Sequence, residues 1–170
     1  MTAARPVAHD PEPLDAGPRW LDPIEMEAWR SYVNVANDLM RALETDIASF
    51  DLTMGDYEVL VRLSERPERR MRMCDLASEL QLSPSGLTRR LDGLVSNGLV
   101  GREASDDDRR VMLAVLTERG FSELERAAPF HVAGVRQRFI DPLTDREVRS
   151  LASAFAKMRR VLDAERTTTA

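Results

Sequence analysis

Apolar side chains recur at steps of three and four from Trp29 through Val33, Ala36, Met40, Leu43 and Ile47, the stripe of one amphipathic helix. Asp22-Pro23-Ile24-Glu25 ahead of it reads as a helix start, with Asp as cap, Pro at the first position and Glu at the third. Thr53-Met54-Gly55-Asp56 resembles a second start, followed by Tyr57, Leu60 and Ser64 on one face and closed by Pro67. Met71 to Met73 suits a short strand. Asp75 to Leu80 then forms a short helix, and Ser83-Pro84 opens another that runs to about Asn97. Its Leu87, Leu91, Leu94 and Val95 share a face expected to bury against Leu76, Ala77 and Leu80, and Gly98 suits a left-handed C-terminal cap.

After Gly98 the pattern becomes that of strands. Leu99 to Arg102 and Val111 to Leu116 flank an acidic tip, Asp106-Asp107-Asp108-Arg109-Arg110. Val111, Leu113 and Val115 alternate with Met112, Ala114 and Leu116, so the returning strand is apolar on both faces and needs cover on each. Thr117 can cap a long helix through Phe121 and Leu124, with Pro129 expected to kink or break it before Val132, Val135 and Phe139 resume the stripe. Thr144-Asp145-Arg146-Glu147 is a capping box, and Val148, Leu151, Phe155, Met158 and Leu162 make a heptad-like seam behind it. That seam either packs on its own core or pairs with the N-terminal helix of a second copy. Long terminal helices flanking a small central unit favour the second copy.

A short helix, a turn, a second helix and a hairpin, in that order, spell a winged helix-turn-helix. The expected fold is mainly α with a small β-wing, the winged unit being flanked by N- and C-terminal dimerisation helices. The expected organisation is a disordered tail over 1–18, an N-terminal dimerisation helix over 19–50 and a DNA-binding region over 51–117. Dimerisation helices over 118–163 and a disordered tail over 164–170 complete it. With 170 residues the chain can bury a substantial core, and no apolar run reaches the roughly 18 residues of a membrane helix. The N-terminus carries no basic-then-apolar signal pattern, so no membrane partner and a cytoplasmic location are expected.

A net charge of −5 is unusual for a DNA binder until it is mapped along the chain. Residues 1–61 hold 4 Arg against 12 acidic residues, whereas 62–110 hold 10 Arg against 9 acids and 111–170 hold 10 basic against 8 acidic. The acidity therefore sits in the N-terminal third. Arg69, Arg70, Arg72, Arg89, Arg90, Arg102, Arg109 and Arg110 are placed to form a local cationic surface, and the local field governs phosphate attraction. In the second helix, Ser83, Ser85, Gly86 and Thr88 are small enough for close approach to base edges, and Arg89 is the candidate for a bidentate guanine contact. Arg90 and Arg102 add charge. At the wing, Asp108 is expected to orient Arg110 toward the minor groove, with Arg109 beside it.

The single cysteine rules out an intramolecular disulfide and a Cys-based zinc cluster. His9 and His131 are isolated in sequence, so no metal and no cofactor are expected. G-x-S-x-G and Walker A strings are absent, and an enzyme is not expected. Cys74 is read as a structural residue, on the ground that free cysteines are commonly buried. A redox switch at the first turn of its helix is the alternative, as is a helical interaction protein that does not bind DNA.

The residues from Trp20 to about Leu162 resemble the MarR (multiple antibiotic resistance regulator) family of transcriptional regulators. The resemblance rests on Leu76-Ala77, Leu82-Ser83 with Leu91 and Leu94, Gly98-Leu99-Val100, and above all Asp108-Arg109-Arg110 running to Leu116-Thr117 and Gly120. It implies a homodimeric repressor whose terminal helices intertwine, with Trp20, Leu21 and Ile24 joining the seam at Val148, Leu151, Phe155, Met158 and Leu162. It also implies a double-stranded, pseudo-palindromic DNA operator and release by a small aromatic or phenolic effector. Trp29, Tyr32 and Arg62 are candidates to line the effector cleft, although apolar and aromatic residues at helical spacing are usually core. Peroxide-sensing relatives carry their cysteine near the N-terminal helix, where this chain has none.

Overall fold

The computed structural model describes residues 18–169. Along them run α1 (Pro23–Ile47), α2 (Met54–Ser64), β1 (Arg70–Arg72), α3 (Met73–Glu79), α4 (Pro84–Ser96), β2 (Val100–Ala104), β3 (Met112–Leu116), α5 (Glu118–Val135) and α6 (Asp145–Thr169). Short 3-10 turns follow α1 and α2, and one π-helical turn, Arg136–Ile140, follows α5. The helix-turn-helix α3–α4 leads directly into the β2–β3 hairpin, so the fold is a winged helix-turn-helix.

Side-chain caps set most of the helix starts. Asp22 Oδ1 accepts from the amides of Ile24 and Glu25 at 2.8 Å, and the Asp22 amide donates to Glu25 Oε2 at 2.9 Å. Thr53 and Asp56 cap each other reciprocally at α2. Ser83 Oγ accepts from the Gly86 amide at 3.1 Å, and Thr117 Oγ1 from the Gly120 amide at 2.9 Å. At α6, the Thr144 hydroxyl and amide both donate to Glu147 at 2.7 Å, which holds the Glu147 carboxyl below the usual range. Each pair satisfies amides that a first helical turn leaves without partners. Gly98, at φ +67°, ends the α4 segment in the left-handed region that favours glycine.

The described chain divides into two compact units, up to Ala36 and from Asn37 onward, so the boundary between them falls inside α1. The cause is burial: Leu43 and Ile47, on the last turns of α1, are sealed with the second unit. In the first unit, Trp29 and Tyr32 lie with ring centroids 6.1 Å apart, and Trp20 and Ile24 are 81% and 78% exposed. The expected tail over 1–18 lies outside the described residues up to residue 17.

The core of the second unit joins Leu60 and Leu63 of α2, Leu76 of α3, Leu87, Leu91 and Leu94 of α4, Val100 of β2, Ala114 and Leu116 of β3, and Leu124 and Ala127 of α5. Val95 does not join it as expected; it stands at the edge, 37% exposed. The sheet order is β1-β3-β2, antiparallel throughout, with Arg70 opposite Val115 and Val100 opposite Leu116. The third strand is the segment expected at Met71–Met73, shifted to Arg70–Arg72, and it makes β3 central. Ala114 and Leu116 face the core while Leu113 and Val115 are half-buried, which accounts for a strand apolar on both sides.

Pro129 does not break α5, which runs unbroken from Glu118 to Val135. The proline deprives the Glu125 carbonyl of its helical donor, but both residues are exposed and water can take the vacant lone pairs. α6 likewise continues to Thr169, through the segment expected to be a tail from 164. Up to residue 166 none of its side chains is buried, and Phe155, Met158, Val161 and Leu162 are exposed.

Gly120 brings α5 against the α4–β2 connection. A β-carbon there would overlap the Leu99 carbonyl oxygen and lie 2.8 Å from Leu116 Cδ1, and the backbone oxygen cannot swing aside. Gly120→Ala is therefore expected to destabilise the protein by about 1–3 kcal/mol. A urea midpoint unchanged from wild type would show that the approach is looser than described.

Candidate nucleic-acid interface

α4 presents two different faces. Leu87, Leu91 and Leu94 are sealed in the core, and Ser85, Thr88, Arg89 and Asp92 face out. At its front, Ser83 Oγ also lies 3.2 Å from Ser85 Oγ, and the half-buried Gly86 keeps the first turn slender. The Thr88 hydroxyl donates to the Pro84 carbonyl at 2.9 Å, so its proton is committed and only its lone pairs face outward. Among the described residues, no hydrogen bond or ion pair holds the Arg89 guanidinium. A five-donor fork on the exposed face of a helix, one turn beyond small residues, has the chemistry for a base edge.

The wing tip is closed by Ser105 and Val111, the Ser105 amide donating to the Val111 carbonyl at 2.8 Å. Asp108 Oδ1 accepts from the Arg110 amide at 3.0 Å and lies 3.4 Å from Arg110 Nε. The Arg110 side chain is 93% exposed beyond that contact, so Asp108 sets its root and leaves the terminal nitrogens free. Arg109 is exposed beside it.

The other arginines of the expected cationic surface are mostly turned inward. Arg69 donates to Glu118 at 3.1 Å with its guanidinium 3.6 Å above the Phe121 ring, and Arg70 pairs with Glu68. Arg90, half-buried, lays its guanidinium across Gly55 at the start of α2, where a β-carbon would collide with it. Arg102 donates to the Thr88 carbonyl and to Asp92 on α4. Arg90 and Arg102, both expected to reach DNA, are thus half-buried and engaged with other elements of the chain. For Arg69, Arg90 and Arg102 the acceptor or packing partner is distant in the chain, a signal absent from local sequence, whereas Glu68 lies two residues from Arg70. Arg72, Arg89, Arg109 and Arg110 keep outward guanidinium groups.

A second feature lies apart from α4 and the wing. Arg62 lines a cavity of about 330 Å³ with Leu43, Met54, Tyr57, His131 and Phe139. Trp29 and Tyr32, the other two expected cleft residues, belong to the first unit and are not in its lining. His131, isolated in sequence, has its ring 4.6 Å from that of Tyr57, and its Nδ1 is buried without a hydrogen-bond partner. A wider depression of about 590 Å³ follows α6, but a single helix forms all of its walls and it encloses nothing.

Burial pushes the His131 imidazole below its ordinary value, against the opposing charge of Asp46. Asp46 itself is gripped by Arg138 at 2.6 and 3.0 Å. A folded-state pKa below the unfolded one contributes stability that is present above about pH 6.5 and lost as pH falls through the lowered value. The urea midpoint is therefore expected to drop on acidification from pH 7.5 to 5, and His131→Gln to flatten part of that drop. Identical profiles for the two proteins would rule His131 out as a contributor.

Cys74 is exposed, contrary to the buried role expected of it, with Sγ 3.5 Å from Asp75 Oδ1. Its place at the start of the seven-residue α3 leaves it outside the core that this helix builds with Leu76 and Ala77. Among the described residues, no helix is long and apolar enough to cross a membrane.

The family model described as MarR family matches residues 52–112, from the residue before the α2 cap to the first residue of β3. AbsC, a MarR family transcriptional regulator from Streptomyces coelicolor, superposes with a TM-score of 0.83 at 41% identity, covering 86% of this chain and 99% of that one. Sco3205, a MarR family transcriptional regulator from the same organism, was solved in complex with DNA. It superposes at 0.81 with 35% identity, covering 84% and 94%. The HTH-type transcriptional repressor YetL of Bacillus subtilis is 25% identical over 141 residues, 81% of this chain and 84% of its own length.

Proposed function

The chain belongs to the MarR family of transcriptional regulators, and from that premise we propose that it is a homodimeric repressor, binding a pseudo-palindromic operator and released by a small ligand. The observation that carries the reading is the division of α4, whose inner leucines are locked in the core while Ser85, Thr88 and Arg89 are exposed on the outside. In this reading Arg89 enters the major groove and the wing sets Arg110 against the flanking minor groove. The DNA-bound state of Sco3205 supports the mode, and the repressor name of YetL supports the direction of control.

Dimerisation is supported by apolar surface at both ends of the chain. Trp20, Leu21 and Ile24 are exposed at one end; at the other, Phe155, Met158 and Leu162 are exposed while Val148 and Leu151 are half-buried. Such surface is stable in water when a second copy covers it. Two reading heads would then address half-sites roughly one helical turn, about 10 bp, apart. The effector site is the cavity lined by Arg62, Tyr57 and His131, which suits a small aromatic or phenolic molecule. Its walls come from α1, α2 and α5, so a ligand that prefers one arrangement of these helices shifts the spacing of the heads and the affinity with it.

The test is a salt titration of binding to DNA upstream of the protein's own gene, with the oligomeric state measured by sedimentation in the same buffer. A two-to-one complex with a steep salt dependence, tighter than on a random duplex, supports the reading. Binding by a monomer, or equal affinity for both duplexes, overturns it.

A further inference from the structure

The wing is joined to the recognition helix by more than its sheet. From β2, Arg102 reaches two acceptors one turn apart on α4. Its Nη2 donates to the Thr88 carbonyl at 3.0 Å and to Asp92 Oδ1 at 2.8 Å. The side chain is only 27% exposed, and its Nε is buried without a partner. Arg102 lies opposite Ala114 in the sheet, and cross-strand partners share a face. Ala114 is fully buried, so the Arg102 stem leaves the sheet on its core side and passes toward the helix at the margin of the core. Beyond Ala104 and Met112 only the Ser105–Val111 backbone hydrogen bond continues the hairpin, so the tip carrying Asp108, Arg109 and Arg110 extends from the region that Arg102 pins.

From this geometry we infer that Arg102 is a positioning residue for DNA binding, touching α4 and not the DNA. It fixes the angle between wing and recognition helix, so that Arg89 and Arg110 meet one stretch of duplex together. A planar guanidinium suits the task because it holds two acceptors in set directions, which a lysine ammonium on a flexible stem does not. Asp92 completes the clamp, a role that explains an acid on the outward face of a helix that approaches phosphates. The inference rests on the reading of α4 and the wing as the DNA-binding surface.

The experiment measures operator and random-duplex affinity across a salt series for wild type, Arg102→Lys, Arg102→Ala, Asp92→Asn, the Arg102→Ala/Asp92→Asn double variant and Arg89→Ala. Arg102→Ala is expected to weaken operator binding about tenfold by restoring freedom to the wing. Its salt slope and its random-duplex affinity are expected to stay unchanged. Arg102→Lys behaves in the same way although its charge is kept, and the double variant is no weaker than Arg102→Ala alone. Asp92→Asn also weakens operator binding, whereas simple removal of a negative charge near phosphates would strengthen it. Hydroxyl-radical footprints of both Arg102 variants lose the flanking protection and retain the central one. A salt slope reduced by about one in Arg102→Ala and rescued in Arg102→Lys would mean a direct phosphate contact and would overturn the inference. Unchanged operator affinity in both variants, or equal losses on both duplexes, would overturn it as well. Arg89→Ala checks the underlying reading separately: if it leaves operator affinity intact, the assignment of the surface fails whatever Arg102 does.

Discussion

Arg89→Ala is expected to lower operator affinity by about tenfold to a hundredfold while leaving the unfolding transition where it was. The magnitude follows from the roughly 1–3 kcal/mol that a bidentate guanidinium contact contributes to discrimination between base pairs. The separation of effects follows from position. Arg89 is exposed, without a partner among the described residues, on a helix whose opposite face is packed, so removing its side chain opens no cavity and strands no acceptor. The loss is expected on the operator and not on a random duplex, and it should concentrate at one base pair when operator variants are compared by fluorescence anisotropy. Equal loss on both duplexes would assign Arg89 to a phosphate instead. No loss on either would remove α4 from the groove.

Two positions further along the same helix, the expectation is reversed. Leu91→Ala is expected to destabilise the protein by about 2–5 kcal/mol, through lost transfer free energy and the cavity left behind. Leu91 is wholly buried in the cluster that holds Leu76 of α3, Leu87 and Leu94 of α4 and Val100 of β2, residues of the helix-turn-helix and the wing. The cavity therefore opens where the two helices and the wing meet. For a chain of this size each kcal/mol moves the melting temperature by about 2–4 °C, so the shift is well outside error. The comparison is made at fixed protein concentration, because association contributes to apparent stability. Below the transition the folded fraction should still bind the operator. A change under about 1 kcal/mol would mean that the inner face of α4 packs far more loosely than its burial indicates.

These two residues also mark how far the chain is legible from its sequence. Which face of α4 turns inward follows from the spacing of Leu87, Leu91 and Leu94, because helical geometry puts residues three and four apart side by side. The caps at Asp22, Thr53, Ser83, Thr117 and Thr144 are legible for a related reason, since each donor and acceptor lies within three residues of its partner. The hairpin and the Asp108–Arg110 contact are local in the same sense. Gly120 was visible as part of a family string, but its physical reason, the backbone of Leu99 lying against it, was not.

What local pattern did not reach is the destination of long side chains and the cover of short segments. Arg89, Arg90 and Arg102 look alike as letters, yet one is free, one lies on Gly55 and one clamps Asp92. The pairing of β1 with β3 joins Arg70 to Val115, and it turned a strand apolar on both faces from a puzzle into the centre of a sheet. The exposure of Cys74, the contact of His131 with Tyr57 and the unbroken α5 at Pro129 likewise depend on which surfaces meet. The sequence by itself determined the order of the elements, most of their caps, the inward leucines of α4 and the family, because these rest largely on neighbours within about one helical turn. Only the tertiary structure decided which arginines stay exposed and which lie against α2, α4 or α5. A guanidinium at the end of a flexible stem goes to whichever acceptor the distant chain brings within reach.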